Sequence, residues 1–348
     1  MSKSVTGSDL SPEEIDEGVI QDKLDHLCKP PGSLGKLEEI AFTLCRIQRT
    51  LTPVTQPRHV TVFAADHGVT CEGVTAWPSS VTAAVVKVMQ KERTASGVFA
   101  KSLNCGYEVI DVGLLKPLGE QDSRVTHAAR RCGTNNLLRE QAMTETDFDQ
   151  AWQVGVDSAA RAASAGHKLL IGGEMGIGNT TAASCLISLL AEANPQSVVG
   201  RGAGVDDAML THKQNVVGEA VERVHFLGAL TPKKIACEVG GLEIVALAGF
   251  YFEGARLGAT LLIDGLISTS AALLAGSLNP AVAKNMIAGH CSTEPGHIIA
   301  LQQLQLDPIL DLKMRLGEGT GALAALPLLD LAAAMMNEMS ALSDLELT

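Results

Sequence analysis

Glu318 is the side chain in this sequence whose position best suits proton transfer. It stands between Gly317 and Gly319, shortly after the cations Lys313 and Arg315. Glycines on both sides let the backbone adopt unusual dihedral angles and approach a ligand closely. A carboxylate held at such a turn could take a proton from a small molecule lying against the backbone. The same pattern also suits a surface turn with a solvated charge, so the rest of the chain has to distinguish the two.

The glycine-rich segment 172–183 is a second candidate for chemistry, and it contains the carboxylate Glu174. An apolar run precedes it and an alanine-rich run follows, which predicts a strand, a tight turn and a helix. Free amides and the positive end of the helix dipole bind anions at such a turn. The segment lacks the Gly-Lys-Ser/Thr of a P-loop and the third glycine of a dinucleotide-binding turn. We expect a phosphate cradle, with an ordinary strand-to-helix turn as the alternative. Its phosphate-binding candidates are Gly176, Asn179, Thr180 and Thr181.

A further glycine-rich segment, residues 199–207, either closes over a ligand or forms an ordinary loop. Lys213 follows it and would add a point charge for phosphate. Asp206 and Asp207 suggest the acidic pair of enzymes that use a ribose diphosphate donor. That pair requires an apolar strand before it and a diphosphate-binding loop after it, and the sequence has neither. Magnesium–diphosphate chemistry is therefore not expected.

Polar side chains follow five short apolar runs that read as strands. Parallel strands joined by right-handed crossovers place all their carboxyl ends along one edge of a sheet, where ligands bind. We therefore expect these side chains to share one rim. The alternative is that a residue only caps the following helix, and we expect this of Asp111 and Asp264. The five residues are Asp66, Asp111, Glu174, Asp264 and His290.

The spacing of apolar residues also predicts the organisation of the chain. Helices are expected over 13–28 and 34–51, followed by a proline-containing linker that ends near residue 58. From residue 59 onward, apolar runs alternate with helical segments, which is typical of an α/β protein. The Ala/Leu/Met-rich stretch 321–339 predicts a terminal core helix.

Charge and hydropathy exclude several kinds of partner. The formal net charge of −12 makes a nucleic-acid partner unexpected, because the negative field repels polyphosphate. The longest uncharged stretch, residues 265–283, contains Ser, Thr, Asn and Pro and reads as a buried helix and loop, so no membrane association is expected. The N-terminus has no apolar core of a signal peptide. These features predict a cytoplasmic protein.

The cysteines and histidines give no strong signal for a metal, a redox centre or a hydrolase. The eight cysteines are scattered without a CxxC motif, which disfavours a zinc ribbon or a thioredoxin-like site. Asp66-His67-Gly68 and His290-Cys291 leave a nucleophile–base hydrolase open, but there is no Gly-x-Ser-x-Gly motif. We expect no metal site and no cofactor.

Taken in order, the motifs resemble the nicotinate-nucleotide–dimethylbenzimidazole phosphoribosyltransferase family, which acts in cobalamin lower-ligand synthesis. The resemblance covers roughly residues 20 to 340, and its first and last motifs are highly specific. The motifs are Lys29-Pro30-Pro31-Gly32-Ser33-Leu34-Gly35 with Leu37-Glu38, Ala65-Asp66-His67-Gly68-Val69, Gly173-Glu174-Met175-Gly176 with Asn179-Thr180-Thr181, Lys213, Val239-Gly240-Gly241, Leu262-Ile263-Asp264-Gly265 and Met314-Arg315-Leu316-Gly317-Glu318-Gly319-Thr320-Gly321.

The resemblance implies a reaction, a fold and an assembly. Members transfer the 5-phosphoribosyl group of nicotinate mononucleotide to 5,6-dimethylbenzimidazole or a related aromatic base. Nicotinate is released, and α-ribazole 5′-phosphate forms for the nucleotide loop of cobalamin. The implied fold is a Rossmann-like parallel sheet flanked by helices, residues 58–320, with a small helical domain from 1–57 and 321–348. The implied assembly is a homodimer whose sites are completed across subunits.

The resemblance also implies residue roles. Glu318 would be the general base and Glu174 a second catalytic or ribose-side carboxylate. Lys213 would help the cradle to hold the 5′-phosphate, and Arg315 would assist there or form a salt bridge within the fold. By a rough alignment, Trp77 and Val85 stand where better-studied members carry a Ser and a Gln that line the base pocket. That departure predicts a more apolar pocket and leaves the preferred base open among benzimidazoles, adenine and phenols. The remaining substrate-binding residues implied are Gly317, Gly319 and Asp66.

Two other functions remain open from the sequence. A nucleotide-binding sensor could use the same scaffold without catalysis, since fold does not dictate function. The two carboxylates beside the phosphate cradle disfavour a sensor, because negative charges do not help a protein to bind an anion. A nucleoside phosphorylase or hydrolase is the weaker alternative, distinguished by cleavage that depends on phosphate or water and needs no acceptor base.

Overall fold

The computed structural model describes residues 15–116 and 125–345. The chain forms two compact units, one of Met1–Val54 with Leu328–Thr348 and the other of Thr55–Pro327. The strands are β1 Arg58–Ala65, β2 Gly106–Gly113, β3 Val125–His127, β4 Leu169–Met175, β5 Thr260–Ile263 and β6 Met286–Ala288. The helices are α1 Glu17–Asp25, α2 Lys36–Gln48, α3 Ser80–Met89, α4 Ala95–Ser102, α5 Glu145–Ser164, α6 Asn179–Leu190, α7 Pro195–Val198, α8 Asp207–His225, α9 Pro232–Val239, α10 Leu242–Arg256, α11 Leu266–Leu278, α12 Pro295–Leu304 and α13 Thr320–Glu338.

The smaller unit joins segments from both ends of the chain. Helices α1 and α2 pack together, and backbone bonds tie this hairpin to the C-terminal segment: Cys28 N–H donates to the Ser340 carbonyl at 2.8 Å. Between the helices, Lys29 Nζ and Glu38 Oε2 form a buried ion pair at 2.9 Å. Glu38 Oε1 also accepts the Leu34 N–H at 2.8 Å. The Lys-Pro-Pro-Gly-Ser-Leu-Gly motif therefore closes a loop against the first turns of α2.

The larger unit is built on a six-stranded sheet in which every neighbouring pair is parallel. The strand order is β3-β2-β1-β4-β5-β6. This confirms the predicted α/β fold with a parallel sheet flanked by helices. All carboxyl ends lie on one edge, as right-handed crossovers require. The order reverses between β1 and β4, and in open parallel sheets that reversal is where a ligand crevice forms.

The five predicted strands are present, and the structure adds β3. The predicted polar residues lie in the last residues of β2 and β4, directly after β1 and β5, or two residues after β6. Strand β3 escaped the sequence analysis because it has three residues, Val-Thr-His, of which only Val125 is buried. So short a run has no apolar periodicity.

The core of the larger unit lies between the sheet and an inner layer formed by α10 and α11. Both helices are buried around most of their circumference, so their sequences are apolar without a polar stripe. Phe63 of β1 meets Phe250 of α10 edge to face, with ring centroids 5.7 Å apart. This rigid layer supports the carboxyl ends of the central strands.

Helix α13 is the one helix among residues 15–116 and 125–345 that is long and apolar enough to cross a membrane. In the structure, 61% of that apolar window is buried inside the protein. Burial of this extent is typical of a core helix.

Candidate active site

A cavity of about 610 Å³ opens beyond the carboxyl ends of β4, β5 and β6, and its lining belongs entirely to the larger unit. Ten of the predicted site residues line it: Glu174, Gly176, Asn179, Thr180, Lys213, Arg315, Gly317, Glu318, Trp77 and Val85. Three predicted residues do not line it: Thr181, Gly319 and Asp66. The structure thus brings most of the predicted residues to one concave surface.

The loop that carries Glu318 has left-handed backbone at three consecutive positions. The φ angles are 85° at Gly317, 63° at Glu318 and 81° at Gly319. Asp264 fixes this conformation: Oδ2 accepts the Gly319 N–H at 3.1 Å, and Oδ1 accepts the Gly321 N–H at 2.7 Å. A glutamate at positive φ is uncommon and persists where its surroundings impose it. Asp264 therefore stabilises the backbone of the loop that carries Glu318.

The side chain of Glu318 is only 6% exposed. Its Oε2 accepts a hydrogen bond from Ser96 Oγ at 2.8 Å. Ser96 lies 222 positions earlier, in the first turn of α4, and does not line the cavity. Ser96 could not be identified from the sequence, since nothing local to residues 94–97 indicates a partner so distant in the chain.

Glu174 is the second carboxyl group on the same wall, and it is 5% exposed. Asn179, the first residue of α6, donates its side-chain amide to Glu174 Oε2. Burial raises the pKa of Glu174 to about 8, and neighbouring carboxylates add to the effect. Those neighbours are Glu243, Asp264 and Glu318. Glu174 is therefore largely protonated at neutral pH.

One end of the cavity carries groups suited to an anion. Gly178, at φ 97°, leads into the N-terminus of α6, so the positive end of the helix dipole lies at the cavity. The Asn179 and Thr181 N–H groups already donate to the Gly176 and Gly178 carbonyls. Lys213 is 1% exposed, and its Nζ donates to Thr180 Oγ1 at 2.7 Å. Burial lowers the pKa of Lys213 to about 8. Arg315 is anchored nearby, with Nη1 donating to the Gly202 carbonyl at 2.7 Å. This end matches the predicted phosphate cradle in composition.

Glu294 is a cavity residue that the sequence analysis did not single out. Its Oε1 accepts the Gly202 N–H at 2.8 Å. Its Oε2 is buried and has no hydrogen-bond partner among the described residues. Such an oxygen can accept a hydrogen bond from a ligand hydroxyl. The one sequence signal for Glu294 is that it directly precedes helix α12, which does not by itself indicate a ligand site.

Another part of the lining is apolar. Trp77 lies at the cavity and is 53% exposed, while Val81 and Val85 present the face of α3. Ile177 and Leu316 complete the apolar surface. An aromatic ring bound here would contact aliphatic groups and an indole, as pockets for flat heterocycles commonly provide.

Asp66 and His67 lie behind the cavity wall. Asp66 is buried, and its Oδ2 accepts the Leu115 N–H at 2.8 Å. His67 Nε2 meets Glu243 Oε1 at 2.6 Å, and both side chains are fully buried. Cys291 Sγ interacts with the Ser292 carbonyl, and burial raises the pKa of its thiol. The structure gives no thiolate–imidazole pair among its described residues, so the hydrolase alternative has no support from geometry.

Among residues 15–116 and 125–345, no cluster of three or more His, Cys, Asp or Glu side chains is arranged to hold a metal ion.

Comparison with known proteins places these features in a family. A family model described as Phosphoribosyltransferase matches residues 12–346. The nicotinate-nucleotide–dimethylbenzimidazole phosphoribosyltransferase of Chromobacterium violaceum is 46% identical over 314 residues, covering 90% of each chain. The enzyme of the same name from Thermus thermophilus is 42% identical, covering 90% of this chain and 93% of its own. The crystal structure of CobT from Thermus thermophilus superposes with a TM-score of 0.91 at 41% identity, covering 94% of this chain and 97% of its own.

Proposed function

The chain belongs to the nicotinate-nucleotide–dimethylbenzimidazole phosphoribosyltransferase family, and we propose that it transfers the 5-phosphoribosyl group of nicotinate mononucleotide to 5,6-dimethylbenzimidazole or a related aromatic base. The products are nicotinate and α-ribazole 5′-phosphate, used for the nucleotide loop of cobalamin. The observation that carries this proposal is a single cavity with an anion-binding end, an apolar wall and the buried carboxyl group of Glu318.

The proposed step is a displacement at C1′ of the ribose. The unprotonated nitrogen of the base attacks C1′ from the face opposite nicotinate, which gives the α-linked product. The C1′–N bond to nicotinate breaks, and its electron pair neutralises the pyridinium nitrogen. Nicotinate is thus already a good leaving group. The incoming base becomes more acidic as it bonds to C1′, and its ring N–H proton passes to the Glu318 carboxylate.

We assign the 5′-phosphate to the cationic end of the cavity. Lys213, Thr180 and the amides at the start of α6 would bind it, with Arg315 beside them. Thr180 Oγ1 and Lys213 Nζ already contact each other, so a phosphate oxygen at this point meets two preorganised donors.

Glu174 is proposed to act in its protonated form. Because its pKa is raised to about 8, it can donate a hydrogen bond to the ribose at neutral pH without placing a second negative charge beside Glu318. The unpartnered Oε2 of Glu294 is a candidate acceptor for a ribose hydroxyl.

The apolar wall supports an alkyl-substituted benzimidazole as the acceptor. Trp77 and Val85 supply no charged or amide group to hydrogen-bond a polar ring substituent. A hydrophobic wall distinguishes bases that differ by a methyl group by only about 1–3 kcal/mol, so several benzimidazoles should react.

A product assay tests the proposed function. Purified protein is incubated with nicotinate mononucleotide and, separately, 5,6-dimethylbenzimidazole, benzimidazole, adenine or a phenol, and products are identified by mass spectrometry. We expect nicotinate release and ribotide formation that depend on the base, fastest with 5,6-dimethylbenzimidazole. Nicotinate release without a base, dependent on phosphate or water, would indicate a phosphorylase or hydrolase. Nucleotide binding with no turnover for any base would indicate a sensor.

We also propose that the protein works as a cytoplasmic homodimer, as the family resemblance implies. Sedimentation velocity over a range of concentrations tests the assembly, and a single species at the monomer mass of 36.4 kDa would contradict it. Fractionation of the producing cells tests the location.

A further inference from the structure

Three hydroxyl groups converge behind Glu318, on the side away from the cavity. Ser96 Oγ lies 2.8 Å from Glu318 Oε2, 3.1 Å from Tyr107 Oη and 3.0 Å from Thr94 Oγ1. Ser96 is fully buried and sits in the first turn of α4, with Thr94 preceding that helix and Tyr107 on β2. Neither Ser96, Thr94 nor Tyr107 lines the cavity. They reach the reacting groups only through Glu318.

The number of protons decides how this cluster is oriented. A serine hydroxyl has one proton to donate and two lone pairs to accept. An ionised carboxylate can only accept, so the Ser96 proton must point at Glu318. Ser96 can then only accept from Tyr107 and Thr94, which also contact each other. The Ser96 O–H dipole thus points toward the carboxylate, with the hydroxyl groups of Tyr107 and Thr94 behind it.

We propose that Ser96, held by Tyr107 and Thr94, is a positioning residue that fixes one oxygen of the Glu318 carboxylate, so that the other remains for the N–H of the incoming base. Hydrogen bonds arranged in a chain polarise one another, and donors to a charged acceptor are the stronger kind. The catalytic meaning of the arrangement rests on the proposed function, whereas its effect on Glu318 does not.

The surroundings of the cluster agree with this orientation. Burial raises the pKa of Tyr107, so its hydroxyl remains a donor throughout the neutral range. The other ionisable groups near the cluster come from separate elements and would be unchanged by substitutions in it: Glu174 of β4 and Asp264 after β5 on the Glu318 side, and Glu92 near Tyr107. A difference between variants thus reports on the hydroxyl chain.

The experiment follows the Glu318 carboxyl group in the unliganded protein by NMR, with glutamate ¹³C-labelled at Cδ. The Glu318 resonance is assigned by its absence in Glu318→Gln. At one fixed neutral pH, we expect its chemical shift to change in Ser96→Ala, because the hydroxyl that donates to Oε2 is lost, and to change less in Tyr107→Phe. Ser270→Ala is the matched control, because it also removes a buried helical serine hydroxyl, one that donates to the Ile267 carbonyl within α11. That variant should leave the Glu318 resonance unchanged.

Turnover gives a second measurement. Ser96→Ala should lower kcat roughly tenfold and leave the KM for nicotinate mononucleotide unchanged, because the carboxylate is still present but is no longer held in one orientation. Unchanged Glu318 resonances in both Ser96→Ala and Tyr107→Phe would overturn the proposal, as would an equal rise in the KM for the nucleotide. Tyr107→Phe decides the matter if Ser96→Ala does not fold. Absence of turnover in wild type would remove the proposed function, while the NMR measurement would still test the hydroxyl chain.

Discussion

Glu174 and Glu318 are two buried carboxyl groups on one wall that have opposite hydrogen-bonding environments. Glu318 accepts from a polarised hydroxyl chain, and Glu174 is packed against other carboxylates and an amide. Environments of this kind assign different protonation states to chemically identical groups. Burial raises the pKa of Glu174, and the neighbouring carboxylates of Glu243, Asp264 and Glu318 raise it further.

Glu174 should make the stability of the protein depend on pH. Its pKa of about 8 in the folded state exceeds the 4.5 of an unperturbed glutamate, so between these values the folded protein holds more protons than the unfolded one. The free energy of unfolding therefore falls as pH rises from about 4.5 to about 8. The glutamine of Glu174→Gln does not titrate, so this variant should not lose stability in that way. The difference in unfolding free energy, variant minus wild type, should increase on the order of 3 kcal/mol from pH 5 to pH 8. Urea unfolding at both pH values measures it, and an equal difference at the two would contradict the assignment.

Lys213 should make nucleotide binding depend on pH. Burial lowers its pKa to about 8, so above that pH the binding of an anion must first restore the proton. The affinity for nicotinate mononucleotide should fall by up to about tenfold per pH unit above pH 8. Lys213→Met should bind roughly 10–100-fold more weakly and lose this dependence. Calorimetry measures both effects.

The matched control is Lys233→Met, which removes a lysine that pairs with Asp149 on the surface. It should bind the nucleotide as wild type does. If Lys213→Met and Lys233→Met bound equally well, Lys213 would have no part in the phosphate site.

At the scale of elements, the position of Glu318 depends on how closely its loop approaches β4. A Cβ on Gly173 would lie 2.7 Å from the carbonyl group of Glu318, which is backbone and can move aside only together with its loop. Gly173→Ala should therefore displace the loop, cost about 1–3 kcal/mol of unfolding free energy and strongly reduce turnover. Urea unfolding and the product assay measure these effects.

Gly218 provides a matched glycine in the interior of α8. A Cβ there meets nothing within 4 Å. Gly218→Ala should raise the free energy of unfolding by about 0.5–1 kcal/mol through helix propensity and leave turnover unchanged. Wild-type activity in Gly173→Ala would contradict this prediction. It would show that turnover does not depend on the close contact between the Glu318 loop and β4.

The elements that carry the site could be predicted because their signals are local. An apolar run that ends in a polar residue marks a strand end. Parallel topology places all such ends on one edge of the sheet, so their grouping can be predicted without knowing how side chains pack.

The hydrogen-bond partners of those residues could not be predicted, because they depend on contacts between segments that are distant in the chain. Ser96 meets Glu318 across 222 positions, and His67 meets Glu243 across 176. Asp66 was expected at the ligand and instead binds the Leu115 amide behind the wall, since a strand-end side chain can point to either side of the rim.

At the scale of the whole molecule, the negative net charge opposes binding of an anionic substrate, whereas local positive groups in the cavity favour it. The chain carries a formal charge of −12, yet the proposed donor substrate bears a phosphate and a carboxylate. Binding must therefore rely on placed groups, namely the N-terminus of α6, Lys213 and Arg315. Protonation of Glu174 helps by keeping one negative charge out of the cavity. All of these groups belong to the unit Thr55–Pro327.

The central claim is that Glu318 accepts the proton of the incoming base, and the kcat of Glu318→Gln tests it most directly. Nicotinate release is measured with saturating nicotinate mononucleotide and 5,6-dimethylbenzimidazole, beside wild type at the same pH. We predict a kcat lower by at least about 100-fold, with nucleotide affinity and the unfolding midpoint unchanged. A kcat within about threefold of wild type would contradict the account, because general-base catalysis contributes more than that.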